Sequence, residues 1–113
     1  EVISGDKTEY NMYRPTVKNV VNNGYVIPYG DSPLDDENVG ELVYMDILNS
    51  AKDYVHIMTP YLILDHEMLT ALTYAAKRGV DVKIIMPGIP DKAYAFALAK
   101  TYYPELLRAG VKI

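Results

Sequence analysis

Few side chains in this sequence can do chemistry, and they are scattered. Among 113 residues there are two histidines, His56 and His66, and no cysteine. A thiolate nucleophile, a disulfide framework and a thiolate metal site are therefore excluded. Two histidines without cysteine are also a poor transition-metal set. His66-Glu67 opens like a zinc-protease helix, but Thr70 stands where that motif needs its second histidine. Met86-Pro87-Gly88-Ile89-Pro90 has one glycine where a phosphate-cradling loop needs more. No dinucleotide fingerprint follows any predicted strand. Gly30-Asp31-Ser32-Pro33 is not the glycine-flanked elbow of a serine nucleophile. What remains is hydroxyl and carboxylate chemistry at two chain reversals. Thr59-Pro60-Tyr61 follows one apolar run, and Asp91 follows another.

Each candidate also has a purely structural role. His56 lies inside the apolar run, where a threonine or a backbone carbonyl can satisfy a core or edge histidine. His66 falls on the polar face of a helix, where water solvates it. Asp65 and Asp91 precede helices and can cap them. Tyr61 can simply pack a strand-to-helix turn.

The elements that must position these residues follow from periodicity. Tyr25 to Tyr29 is short and β-rich, with Pro28 restricting it to an edge strand or a strand end. A turn-rich loop covers Gly30 to Asp36. Val43, Tyr44, Ile47, Leu48 and Ala51 share one side of a predicted helix over 37–52. Tyr54 to Thr59 is almost continuously apolar, which predicts a strand buried on both faces. A second helix starts after Asp65, with Met68, Leu69, Leu72, Ala75 and Ala76 as its stripe. Gly79 is placed to end it in the left-handed conformation. Val80 to Pro87 is the next strand. A third helix starts near Asp91, with Tyr94, Ala95, Leu98 and Tyr102 on one face. Pro104 predicts a break and a separate short helix from 104 to 109. Val111-Lys112-Ile113 begins a further strand. The alternation predicts an α/β fold, a layered and mostly parallel sheet flanked by helices.

Composition narrows the partners. The formal net charge is −4, which disfavours general binding to nucleic acid phosphates. The adjacent pair Lys77-Arg78 sits at a helix end, where cations complement the dipole. No apolar run reaches the roughly eighteen residues of a membrane span, so the chain itself reads as soluble. No signal-peptide pattern occurs, and the chain opens on Glu1 without a methionine and stops inside a strand. Both features suggest a piece cut from a longer protein.

Taken in order, several segments resemble one family. Ala51-Lys52-Asp53-Tyr54-Val55-His56-Ile57-Met58-Thr59-Pro60-Tyr61-Leu62 resembles the A-K-x-x-I-x-I-x-T-P-Y-F segment of bacterial cardiolipin synthases, in the phospholipase D superfamily. The likeness continues through Leu69 to Leu72, Ala75 to Pro87, Asp91, and Tyr102 to Ile113. Gly30 to Pro33 resembles the Ser/Gly-rich turn before the first helix of the second half. Leu62 departs from the usual Phe, and His56 from a more common Gln. Residues 25–113 would then be the N-terminal portion of a phospholipase D-like domain, with 1–24 an inter-half linker or peripheral segment.

The resemblance implies a phosphatidyltransferase that converts two phosphatidylglycerol molecules to cardiolipin and glycerol. One motif histidine forms a phosphohistidine, a second acts as general acid then base, and two lysines stabilise the phosphoryl oxygens. It implies no cofactor and no metal. Those residues come from two copies of H-x-K-x-x-x-x-D. Neither copy is present, since His56 is followed by Ile57-Met58 and His66 by Glu67-Met68. The chain alone is therefore expected to be inactive and to contain no catalytic residue. Its substrate-facing candidates are Thr59, Pro60, Tyr61 and Asp91. The implied partners are a phospholipid substrate and the cytoplasmic face of a bacterial membrane, reached through parts outside this chain. Homodimerisation through an exposed strand edge is a further reading. The alternatives are another phospholipase D-type phosphodiesterase or nuclease, or a non-enzymatic α/β interaction domain.

Overall fold

A computed structural model describes residues 9–14, 16, 21–32, 34 and 36–113. Much of the expected linker over 1–24, and Pro33 of the Gly30 turn, lie outside the described residues. Two units are compact in themselves, Glu1–Val39 and Gly40–Ile113.

In the first unit a single 3-10 turn spans Tyr10–Tyr13. The strand expected at Tyr25 to Tyr29 does not form. Tyr25, Val26 and Ile27 are among the most exposed side chains of the described chain. Pro28 has no N–H to donate, and a lone β-rich stretch has no stability without a paired neighbour. The turn chemistry at 30–34 does appear. The Ser32 N–H donates to the Asp31 carboxylate at 3.1 Å, and the Leu34 N–H to the Ser32 hydroxyl at 3.1 Å.

The second unit is built from α1 (Val39–Ser50, of which Val39 is counted in the first unit), β1 (Tyr54–Met58), α2 (His66–Lys77), β2 (Asp81–Ile85) and α3 (Ala93–Ala109). β1 and β2 pair in parallel, from Tyr54 opposite Asp81 to Met58 opposite Ile85. Lys112 then bridges to Lys83 in parallel. It accepts from the Ile84 N–H at 2.8 Å and donates to the Val82 carbonyl at 2.9 Å. The expected α/β alternation is thus present, and its next strand starts where Val111-Lys112 predicted it.

Helix ends follow local rules in α2. The Asp65 carboxylate accepts from the Met68 N–H at 2.8 Å and caps the helix. Gly79 takes a positive φ of 96°, which costs glycine no Cβ clash. The chain then returns so that the Val80 N–H reaches the Ala75 carbonyl at 3.2 Å.

Two expectations are corrected. The first concerns Pro104, which lies inside one continuous helix and does not divide α3 in two. Packing overrides the local penalty, because Ala99 before the proline and Leu106 after it are both fully buried in the same core cluster. Breaking the helix there would take one of them out of the core. The buried face also shifts: Ala95 and Ala99 point inward, while Tyr94 is exposed. Small residues let α3 pack closely on α2.

The second correction concerns β1. It is buried on one face only: Val55 is buried and Ile57 half-buried, while Tyr54, His56 and Met58 are exposed. β2 repeats the pattern with Val82 and Ile84 inward. An unbroken apolar run reports hydrophobicity at every position, but it cannot report which face a neighbouring layer covers.

The outward face of the sheet carries a charge cluster. The Asp81 carboxylate sits 2.6 Å from the Lys112 ammonium and 2.8 Å from that of Lys83. His56 Nε2 lies 3.8 Å away. The lysine hydrogen bonds, Lys112 first, hold the Asp81 carboxyl well below the ordinary carboxylate range. These contacts tie the start of the next strand to β2. A depressed folded pKa adds stability above the unfolded value of about 4, and that stability drains as the pH falls below it. The protection of the Ile84 and Lys112 amides, taken relative to intrinsic exchange at each pH, should therefore fall on acidification below about pH 4, and Asp81→Asn should lower it already at neutral pH. An unchanged exchange rate in Asp81→Asn would count against the latch.

Arg78 has a role that its position hides. Its guanidinium donates to the carbonyls of Leu48 at 2.8 Å, Asn49 at 3.0 Å and Ala51 at 3.3 Å. It thus caps the C-terminal end of α1, not its own helix, and it lies 5.3 Å from the Tyr74 ring centroid. Arg78→Ala should lower stability by roughly 1–2 kcal/mol. Arg78→Lys should recover little, because an ammonium lacks the planar fork. Urea unfolding midpoints of the two variants check this.

Candidate functional site at the strand ends

The parallel register fixes where the candidate residues meet. β1 and β2 end side by side, at Met58 and Ile85. The loops that leave these ends begin as neighbours, and carboxyl ends of parallel strands are where α/β sheets bind ligands.

The first loop turns at once. The Thr59 N–H still pairs with the Ile85 carbonyl at 3.2 Å. Its hydroxyl then closes a local turn around Pro60. It donates to the Tyr61 carbonyl at 2.9 Å and accepts from the Tyr61 N–H at 3.2 Å. Leu62 is buried, only 3% exposed, and anchors the loop in the core. The departure from Phe is thus a core substitution beside the site. The ring of Tyr61, half-buried, is held between a closed turn and a buried anchor.

The second loop supplies the partner. The Tyr61 hydroxyl donates to Asp91 Oδ2, across 30 positions of sequence. Asp91 was expected to cap α3, and that expectation is corrected. The N-cap is Lys92, which has an extended backbone and no side-chain capping bond. Released from capping, the Asp91 carboxylate crosses to the tyrosine. Its hydrogen bond raises the Tyr61 pKa above the ordinary phenol value, with smaller contributions from burial and from the Asp91 charge. The phenol therefore stays protonated and remains a donor at any physiological pH. Lys92 Nζ lies 5.3 Å from the Tyr61 ring centroid, within the range of a cation–π contact.

Three of the four candidates, Thr59, Tyr61 and Asp91, are thus joined through hydrogen bonds. Pro60 is exposed at the apex of the turn. Lys92 joins the group, although neither strand-end placement nor the resemblance singles it out. The only signal available was a cation adjacent to Asp91. Tyr61 also lines an open apolar cleft of about 230 Å³, with Tyr44, Ile57, Leu62, Ile63 and Met68 among others. A polar rim on an apolar cleft suits a ligand that is itself amphipathic.

The histidines are not part of this group. His56 projects from the outward face of β1 toward Asp81, tilted against the Tyr54 ring at 4.9 Å. His66 lines a separate shallow depression with Met45, Asn49 and Tyr74. Its helix also carries the Asp65 and Glu67 carboxylates, whose charges raise the Glu41 pKa, Asp65 first. Among the described residues no cluster of three or more metal-ligating side chains occurs. No described helix is long and apolar enough to cross a membrane.

Tyr61→Phe removes the hydroxyl that tethers the two loops and keeps the ring. Amide exchange in residues 88–92 should quicken, while exchange inside α2 stays as it was. Equal exchange in both proteins would mean that the loops are held by other contacts.

Comparison with known proteins identifies the family. Residues 44–113 match the family model described as cardiolipin synthase, PLD-like domain. A protein of Streptococcus mutans serotype c, described only as uncharacterized, is 76% identical over 94 residues, covering 83% of this chain and 20% of its own length. A cardiolipin synthase of Halalkalibacterium halodurans is 36% identical over 99 residues, covering 88% of this chain and 20% of its own. A cardiolipin synthase of Clostridium perfringens is 51% identical over 70 residues, 62% of this chain and 15% of its own. The chain thus spans about a fifth or less of the length of these curated relatives. No solved structure matches it. With a family model matched over most of its length and an α/β core in the expected order, the chain belongs to the phospholipase D-like domain family of the cardiolipin synthases.

Proposed function

We propose that this chain is the scaffold and part of the substrate rim of a longer phosphatidyltransferase of the cardiolipin synthase type. In that enzyme two phosphatidylglycerol molecules give cardiolipin and glycerol. A histidine attacks the donor phosphorus, the P–O bond to glycerol breaks as the second histidine protonates the leaving oxygen, and a phosphatidyl-histidine forms. A hydroxyl of the second phosphatidylglycerol then attacks that phosphorus. The new P–O bond replaces the P–N bond, and the hydroxyl proton passes to the second histidine. Both histidines belong to H-x-K-x-x-x-x-D motifs outside these 113 residues, and the chain by itself is inactive. Residues 25–113 form the N-terminal portion of one phospholipase D-like half, and residues 1–24 the segment before it. The enzyme works at the cytoplasmic face of a bacterial membrane, held there by parts outside this chain.

The observation that carries this reading is the family match over residues 44–113, and the site favours a lipid over a nucleic acid. An apolar cleft beside Tyr61 suits acyl or glycerol carbons. The net charge of −4 works against a polyphosphate chain. Thr59, Pro60, Tyr61 and Asp91 form the rim, with Thr59 and Tyr61 lining the cleft.

The longer protein should convert phosphatidylglycerol to cardiolipin and should leave DNA phosphodiesters uncut. Tyr61→Ala should lower kcat/KM for phosphatidylglycerol by about tenfold or more, the scale of one lost hydrogen-bonded aromatic contact. DNA turnover without lipid turnover would replace the reading with a nuclease. Unchanged lipid kinetics in Tyr61→Ala would remove that residue from the rim.

A further inference from the structure

We infer that Asp91 and Lys92 together bind the acceptor lipid, Asp91 its free glycerol hydroxyls and Lys92 its phosphodiester. The inference rests on the phosphatidyltransferase reading and assigns one part of its site. A carboxylate is the wrong partner for a phosphoryl oxygen and the right one for a hydroxyl. Asp91 is exposed and is not used as a helix cap. The Tyr61 hydroxyl takes one acceptor position of its carboxylate. A carboxylate has about four, so capacity for further hydroxyls remains. Tyr61 holds that carboxylate in place, so the hydroxyls meet a fixed partner.

The neighbouring residue supplies the complementary charge. Lys92 is exposed and stands over the Tyr61 ring. Carboxylate and ammonium thus flank one aromatic ring at the strand ends. The acceptor offers the matching pair, a diol and a phosphodiester separated by one glycerol unit. The donor phosphate fits less well here. It has to sit beside the motif histidines, and those lie outside these 113 residues.

The consequence is a choice between two nucleophiles for the same intermediate. When the acceptor lipid attacks the phosphatidyl-histidine, cardiolipin forms. When water attacks, the P–N bond breaks in the same way and phosphatidic acid forms. The ratio of the two products reads acceptor binding and does not depend on how much protein is folded.

The experiment uses the longer protein containing this chain, with phosphatidylglycerol in mixed detergent micelles and both products quantified. Asp91→Asn and Lys92→Met should each lower the ratio of cardiolipin to phosphatidic acid by about tenfold, as expected for one lost charge-assisted hydrogen bond. Lys92→Arg should return it toward the original value. Unchanged ratios in both substitutions overturn the inference and leave the phosphatidyltransferase reading standing. If the unaltered protein consumes no phosphatidylglycerol, both fall together.

Discussion

The parallel pairing of β1 with β2 is the constraint on which the rest of the second unit depends. Parallel strands end at the same edge of a sheet, so Met58 and Ile85 bring two loops out together. An antiparallel pair would have sent them to opposite ends. Parallel pairing in turn needs a crossover long enough to return the chain, and α2 is that crossover. Its Asp65 cap and Gly79 terminus set where it starts and stops. Buried Leu72 and Ala75 seat it against the core shared with Val82 and Ile84. The hydrogen bond from Tyr61 to Asp91 follows from this geometry and would be unattainable without it.

Two polar devices outside the core fix the periphery. Arg78 leaves the end of α2 to cap α1, so the crossover helix also positions the helix before it. Asp81, held between Lys83 and Lys112, fastens the incoming strand to β2. Neither is a core contact. Each satisfies groups that the backbone geometry leaves at helix ends and strand edges. The core sets the layers, and these side chains set which ends meet.

Much of this was legible in the sequence where the governing rule is local. Asp65 three residues before Met68, and Gly79 just after Lys77-Arg78, mark α2 almost to the residue. The four candidate site residues stand out by the family resemblance and by their place after strands, and Thr59, Tyr61 and Asp91 are joined in the structure. What could not be read is set by distant neighbours. Tyr25 to Tyr29 has strand composition but finds no partner among the described residues. Pro104 breaks helices by a local rule, yet Ala99 and Leu106 keep α3 continuous through it. The caps of Asp91 and Arg78 also misled, since each side chain serves an element some thirty positions away. Periodicity reports which face is apolar, but not which distant group a polar side chain will find.

In the proposed function this chain supplies the binding edge of a phospholipase D-type enzyme and none of its covalent chemistry. That division is tested most directly by trapping the intermediate. The longer protein would be mixed briefly with phosphatidylglycerol, quenched in alkali and digested, and the phosphatidyl-histidine located by mass spectrometry. The account predicts an adduct on a histidine outside these 113 residues and none on His56 or His66. An adduct on either of those two histidines would contradict it.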